Sequence, residues 1–290
     1  MNRRVVLLLL CVWPALLTAQ ETSSLSRGEV QEVRPEGQAS VYETLVRKAF
    51  DALAQDSLSQ AETLLRQAMQ DSPSHKSNYL LFRYLGQICE RQGREGDALE
   101  NYTAALNLNA QNTELRLDRA ALLYNMGNES RALSDYNDVL DIEPENMEAL
   151  LMRAHIYANQ RDNKKARQDY DAILRMDPLN ERAYIGLILL NDNDNRPREA
   201  MEQINSLIAV YPKHAILYAI RGGMEQRRRQ YELANRDLTQ AIEMEPENAD
   251  FYVSRATLYL EMGKKKQARL DTQMAVKYGA DPKEMAALLK

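Results

Sequence analysis

Arg119, Arg153, Arg221 and Arg255 are each followed sixteen residues later by an aspartate: Asp135, Asp169, Asp237 and Asp271. Opposite charges at one fixed separation ask for pairing, and two partners held together out of water must both be present. Where the corresponding first residue is Leu85, Leu187 or Lys48, the second is Asn101, Gln203 or Leu64. Arginine and aspartate therefore occur together or not at all. No comparable pattern points to catalysis. His75, His155 and His214 share no metal-ligand spacing, and no G-x-S-x-G, P-loop or H-E-x-x-H run occurs. The stretch DNDNRPRE at 192–199 begins like a calcium loop, but Arg196 and Pro197 stand where an acidic or amide residue and then a glycine are needed. No catalytic residue, metal ligand or cofactor site is expected.

The elements that would position these charges follow from a period. Pro144, Pro178, Pro212 and Pro246 are 34 residues apart, and EPEN at 143–146 recurs at 245–248. Self-similarity of this length marks a stack of small supersecondary units. Pro73 and Pro282 lie near the same phase, and Ala110 takes the proline's place once. Seven units result, at 42–75, 79–112, 113–146, 147–180, 181–214, 215–248 and 249–282, with a C-terminal cap at 283–290. Three extra residues fall within SPSHKSN before the second unit.

Apolar residues follow helical spacing twice per unit, so each unit is expected to be helix, tight turn, helix, short connection. Small residues mark where the two helices cross: Ala49, Gly86, Ala120, Ala154, Gly222 and Ala256 on the first, and Ala61, Ala98, Ala132, Ala166, Ala200, Ala234 and Ala268 on the second. Gly93, Gly127 and Gly263 occupy the inner turn, where a left-handed residue costs glycine little. Asn195 suits that slot; Arg161 and Arg229 suit it less. The fold class is all-α, and the Arg–Asp pairs are expected between the two helices of one unit.

FRYLGQIC followed by ALENYTAAL in the second unit, with a proline closing most units, resembles the tetratricopeptide repeat over residues 42–282. The fifth unit departs most, with Ile188 where a small residue belongs. The resemblance implies an α-solenoid, a right-handed superhelix of helix pairs with a concave groove. It places Cys89 at a buried core position. It also implies that the first helix presents its fifth, ninth and twelfth residues to the groove. These are Val46, Phe50 and Leu53; Arg83, Gln87 and Glu90; Leu117, Ala121 and Tyr124; Leu151, His155 and Ala158; Ile185, Leu189 and Asp192. They serve either as a track for an apolar or amphipathic peptide or as packing between neighbouring helices. The lysine, asparagine and arginine clamp of chaperone-binding relatives is not supplied.

The remaining signals concern location and charge. MNRR, then VVLLLLCVWPALL, then TAQ reads as a signal peptide over 1–19, cleaved to leave Gln20, and 20–41 reads as a flexible linker. The apolar run is shorter than the roughly 20 residues that span a bilayer. Cleavage would take Arg3 and Arg4 and move the net charge from −5 to −7, and would leave Cys89 as the sole cysteine, so no internal disulfide is expected. The acidic balance argues against a general nucleic-acid binder. RRR at 227–229 and KKK at 264–266 are either a solvated edge or a face for an acidic partner or lipid headgroups. The expected protein is exported, periplasmic or secreted, without a membrane span once cleaved. It would be a non-enzymatic scaffold for a protein or peptide partner, with a peptide-holding chaperone as the alternative. The sequence carries no signal for an oligomeric state.

Overall fold

The computed structural model describes residues 39–194 and 196–290. The residues read above as a signal peptide, most of those read as a linker, and Asn195 lie outside the described residues. Among the described residues there are fifteen helices and no strand. They form consecutive pairs: α1 (Val41–Ala54) with α2 (Leu58–Asp71), α3 (Asn78–Arg91) with α4 (Glu95–Leu108), α5 (Thr113–Asn125) with α6 (Glu129–Ile142), and α7 (Met147–Asn159) with α8 (Asn163–Met176). Then come α9 (Glu181–Asn193), α10 (Pro197–Val210), the pairs α11 (Ala215–Arg227) with α12 (Tyr231–Met244) and α13 (Ala249–Glu261) with α14 (Lys265–Lys277), and the short α15 (Pro282–Leu288). The chain divides into two compact units, which meet in sequence at Gly186 and Leu187 inside α9. Ser40 and Val41, read above as linker, are the N-cap and first residue of α1. The Ser40 hydroxyl accepts from the Glu43 amide while Glu43 accepts from the Ser40 amide, a reciprocal capping box.

The recurring proline phrase has a local explanation. Asn112, Asn146, Asn180 and Asn248 end the connections at multiples of 34 residues, His214 taking the place between the last two, and each asparagine side chain accepts a backbone N–H of the helix that follows, at 2.9–3.1 Å. A helix leaves its first amides without intrahelical partners, and an asparagine at this position satisfies one of them. The inner turns need one left-handed residue. Gly93, Gly127 and Gly263 supply it at φ 72–77°, but Arg161 and Arg229 are forced into the same conformation at φ 63° and 60°. A side chain there crowds the following carbonyl, so Arg161→Gly should raise stability by about 0.5–1 kcal/mol, read by urea unfolding. An unchanged midpoint would mean that contacts of the arginine offset its strain.

The alanine and glycine columns are buried where the paired helices cross. A Cβ on Gly86 would lie 2.5 Å from Cε1 of Tyr102, whose ring is buried and whose hydroxyl donates to Glu90. The ring cannot retreat without losing that bond. Gly86→Ala should therefore cost about 1–3 kcal/mol of stability by overpacking, a loss that Tyr102→Leu in the same chain should partly relieve if crowding is the cause. The fifth repeat solves the crossing differently. Ile188 fills the small-residue column, and the residue sixteen further on is Ile204 rather than a tyrosine, both fully buried. Volume lost on one helix is returned on the other.

Every arginine–aspartate pair is bidentate between the two helices of one repeat. Nε and Nη2 of Arg119 donate to Asp135 at 2.8 and 2.7 Å, those of Arg153 to Asp169 at 2.9 and 2.8 Å, those of Arg221 to Asp237 at 2.6 and 2.8 Å, and those of Arg255 to Asp271 at 2.8 and 2.9 Å. The remaining Nη1 reaches back to the second helix of the preceding repeat: to Thr103, Asn137, Asn205 and Thr239. The planar guanidinium makes both possible, because its donors point along fixed directions. One side chain thus ties three helices. The second contact was open to reading as well, since a threonine or asparagine lies sixteen residues before each of these arginines.

Candidate partner-binding face

The candidate positions on the first helices of residues 39–186 are mostly half-buried: Phe50 on α1, Arg83 and Gln87 on α3, Leu117 and Tyr124 on α5, Leu151 and His155 on α7. Neighbouring helices stitch them by ring contacts. Phe50 meets Tyr84 edge-on, with centroids 4.8 Å apart, and Tyr124 meets His155 edge-on at 5.8 Å. The Asn159 amide donates to the Tyr124 hydroxyl at 3.3 Å and lies 3.3 Å from His155 Nε2. Burial holds the His155 imidazole below its ordinary range, opposed by the charge of Glu129, which favours the neutral ring.

The polar end of this face is internally committed. Arg83 donates to Asp118 at 2.6 Å and to Glu114 at 2.5 Å, joining the second and third repeats. Its guanidinium is spent on the protein itself. Glu90 accepts the Tyr102 hydroxyl, and burial raises its carboxyl above the usual carboxylate range. Ile185 is the correction to the stripe. It is 7% exposed and belongs to the core, whereas Leu151, one repeat earlier in the same column, keeps part of its surface open. Leu189, also half-buried, lies on the part of α9 that belongs to residues 187–290.

The other candidate clusters are used up by folding. Asp192, first acid of the calcium-like stretch, is gripped by both Arg227 and Arg228, so it faces two positive charges rather than a site for a third. That contact also removes two of the three basic residues at 227–229 from any outside partner, which the sequence alone did not reveal. Of the second basic triplet, Lys264 lies 3.8 Å from Glu232, while Lys265 and Lys266 are exposed. His75 stacks on Tyr42 at 4.1 Å, and His214 is the N-cap residue of α11. Cys89 is fully buried with the Asn101 amide 3.8 Å from its sulfur, and burial pushes the thiol up, away from reactivity. Among the described residues no three histidine, cysteine or acidic side chains are grouped to hold a metal, and no helix is long and apolar enough to cross a membrane.

Paired helices of fixed period, with one face of first helices left partly open, define an all-α helical repeat of the solenoid class. Tetratricopeptide repeat models match residues 117–181 and 238–270. A solved tetratricopeptide repeat protein from Parabacteroides merdae is 31% identical and superposes with a TM-score of 0.82, over 87% of this chain and 98% of that one. The chain belongs to the tetratricopeptide repeat family. At the level of fold alone it is also similar to the Cut9–Hcn1 assembly of the APC/C, with 11% identity, a TM-score of 0.56, and 85% of this chain and 55% of that one covered. Pseudomonas aeruginosa pilF is likewise similar in fold, with 14% identity, a TM-score of 0.50, and 72% and 95% covered. No curated protein matches the sequence. Repeats of this family mediate protein–protein interaction.

Proposed function

We propose that the protein is a non-enzymatic scaffold of the cell envelope that holds a segment of a partner protein against the first-helix face of residues 39–186. The observation that carries this reading is the half-open stripe on α5 and α7. Leu117 and Leu151 keep accessible apolar surface, and the edge-on pair of Tyr124 and His155 flanks them. An apolar or amphipathic peptide gains by covering such a stripe, and rigid rings beside it lose little entropy on binding. Arg83 is already neutralised by two carboxylates, which favours an apolar anchor over an acidic peptide terminus. The envelope location rests on the N-terminal run of Arg3, Arg4, thirteen apolar residues and a small-residue exit at Ala19. The test is capture from a native envelope extract with the wild type and with Leu151→Glu, read by mass spectrometry. One dominant partner captured by the wild type and lost with the variant supports the scaffold. Weak capture of many unrelated peptides assigns a holding chaperone instead.

A further inference from the structure

Glu225 is a buried carboxyl without a matching partner. It lies on α11, 7% exposed, and its Oε2 meets no hydrogen-bond donor among the described residues. The same position at 34-residue spacing holds Cys89, Leu123, Tyr157, Asn191 and Tyr259, none of them ionised at neutral pH in ordinary surroundings. The column has a known neighbour. In the preceding repeat Asn191 donates to Gln203 at 2.9 Å and to Glu199 at 3.3 Å. One repeat on, the residue matching Gln203 is Asp237, and both of its oxygens are already bound by Arg221. An amide facing an amide has become an acid facing an acid.

The surrounding charges do not resolve the conflict. Arg221 on α11 is committed to Asp237 and Asn205. Arg228, just past the end of α11, donates to the Met224 and Pro197 carbonyls and to Asp192. Arg221, Arg228 and, more weakly, Arg236 on α12 attract the carboxyl from a distance without hydrogen-bonding it, and Asp237 repels it. On the other helices packed against α11, Glu199 of α10 is the acceptor for Asn191, and Arg255 of α13 is held by Asp271 and Thr239.

We propose that Glu225 is a proton-sensitive latch of the sixth repeat: neutral while α11 and α12 are closed, and loosening their packing when it ionises. A neutral carboxyl can be buried without a counter-ion, whereas a charged one must find water or a cation. Reaching either means opening the α11–α12 crossing or drawing Arg228 off Asp192, which loosens the contact between α9 and the turn after α11. Burial, with Asp237 adding to it, pushes the Glu225 carboxyl up to about 7 from an ordinary 4.5. The folded form thus holds its proton where the unfolded form has lost it. The stability this carries is fully present below the ordinary carboxylate range and is lost as pH rises through about 7, opposite to the behaviour of a salt-bridged acid.

The full chain is the material for the test, by thermal unfolding at pH 5.5 and pH 8.0 with the wild type and Glu225→Gln. Glutamine keeps the shape and removes the charge. The variant should melt about 5 °C above the wild type at pH 8.0, with the gap shrinking at pH 5.5. Glu225→Leu, copying Leu123, should shift the same way. Parallel curves at both pH values, or a less stable glutamine variant at pH 8.0, would overturn the latch, because Glu225 would then be ionised and satisfied. Carbon-13 observation of the wild-type Glu225 carboxyl decides the point without any variant: a midpoint in the ordinary carboxylate range rejects it.

Discussion

Arg119→Leu should lower stability by about 3–5 kcal/mol, and adding Asp135→Asn should return much of that loss. The Asp135 side chain is 4% exposed and that of Arg119 19%, so the pair sits largely out of water. Removing the guanidinium leaves Asp135 buried without its two strongest donors. Arg116 stands 4.0 Å away but is engaged with Asp138, so it replaces them poorly. The second repeat shows the uncharged solution. Leu85 is fully buried there, and the Asn101 amide donates to the Asp97 carbonyl at 2.7 Å. The double variant copies that arrangement within the third repeat. Urea unfolding of the wild type, both single variants and the double variant closes a cycle, and equal, additive single effects would show that the two residues do not interact. Some of the single-variant loss belongs to the bond from Arg119 to Thr103, so recovery stops short of the wild type.

Leu151→Glu should separate binding from folding. The leucine is half-buried on α7, and a glutamate in its place can turn its carboxylate into water in the free protein. The melting temperature should stay within a few degrees of wild type. A peptide lying on the stripe would strip water from that charge without offering a partner, at a cost of several kcal/mol, enough to abolish capture. Ile185 is the control, since it lies in the same column but is buried. Ile185→Glu should damage folding first. If Leu151→Glu also collapses the fold, Leu151 is core and the binding face lies elsewhere. If the variant is stable and keeps its partner, the exposed Lys265 and Lys266 become the surface to examine, since Arg227 and Arg228 are held by Asp192.

Much of the architecture was legible because it is written in repetition. A period of 34 residues, two helical stripes per period and a recurring proline in the connection are local or short-range features, and local chemistry is enough to specify them. The resemblance to the family then supplied the fold. The site was less legible. Helical periodicity says which side of a helix a residue occupies, but exposure depends on the size of side chains on the neighbouring helix.

By itself the sequence determined the helix-pair repeat, the small residues at each crossing and the separation that lets an arginine meet an aspartate sixteen residues on. Each depends on spacing along one chain. The tertiary structure alone decided that Arg83 is spent on Asp118 and Glu114, that Ile185 is closed while Leu151 is open, that Asp192 absorbs two arginines, and that Glu225 is sealed beside an aspartate already taken. Those outcomes turn on which neighbour reaches a group first. Charges and cavities between helices are settled by competition among side chains from different repeats, and no single repeat contains all the competitors.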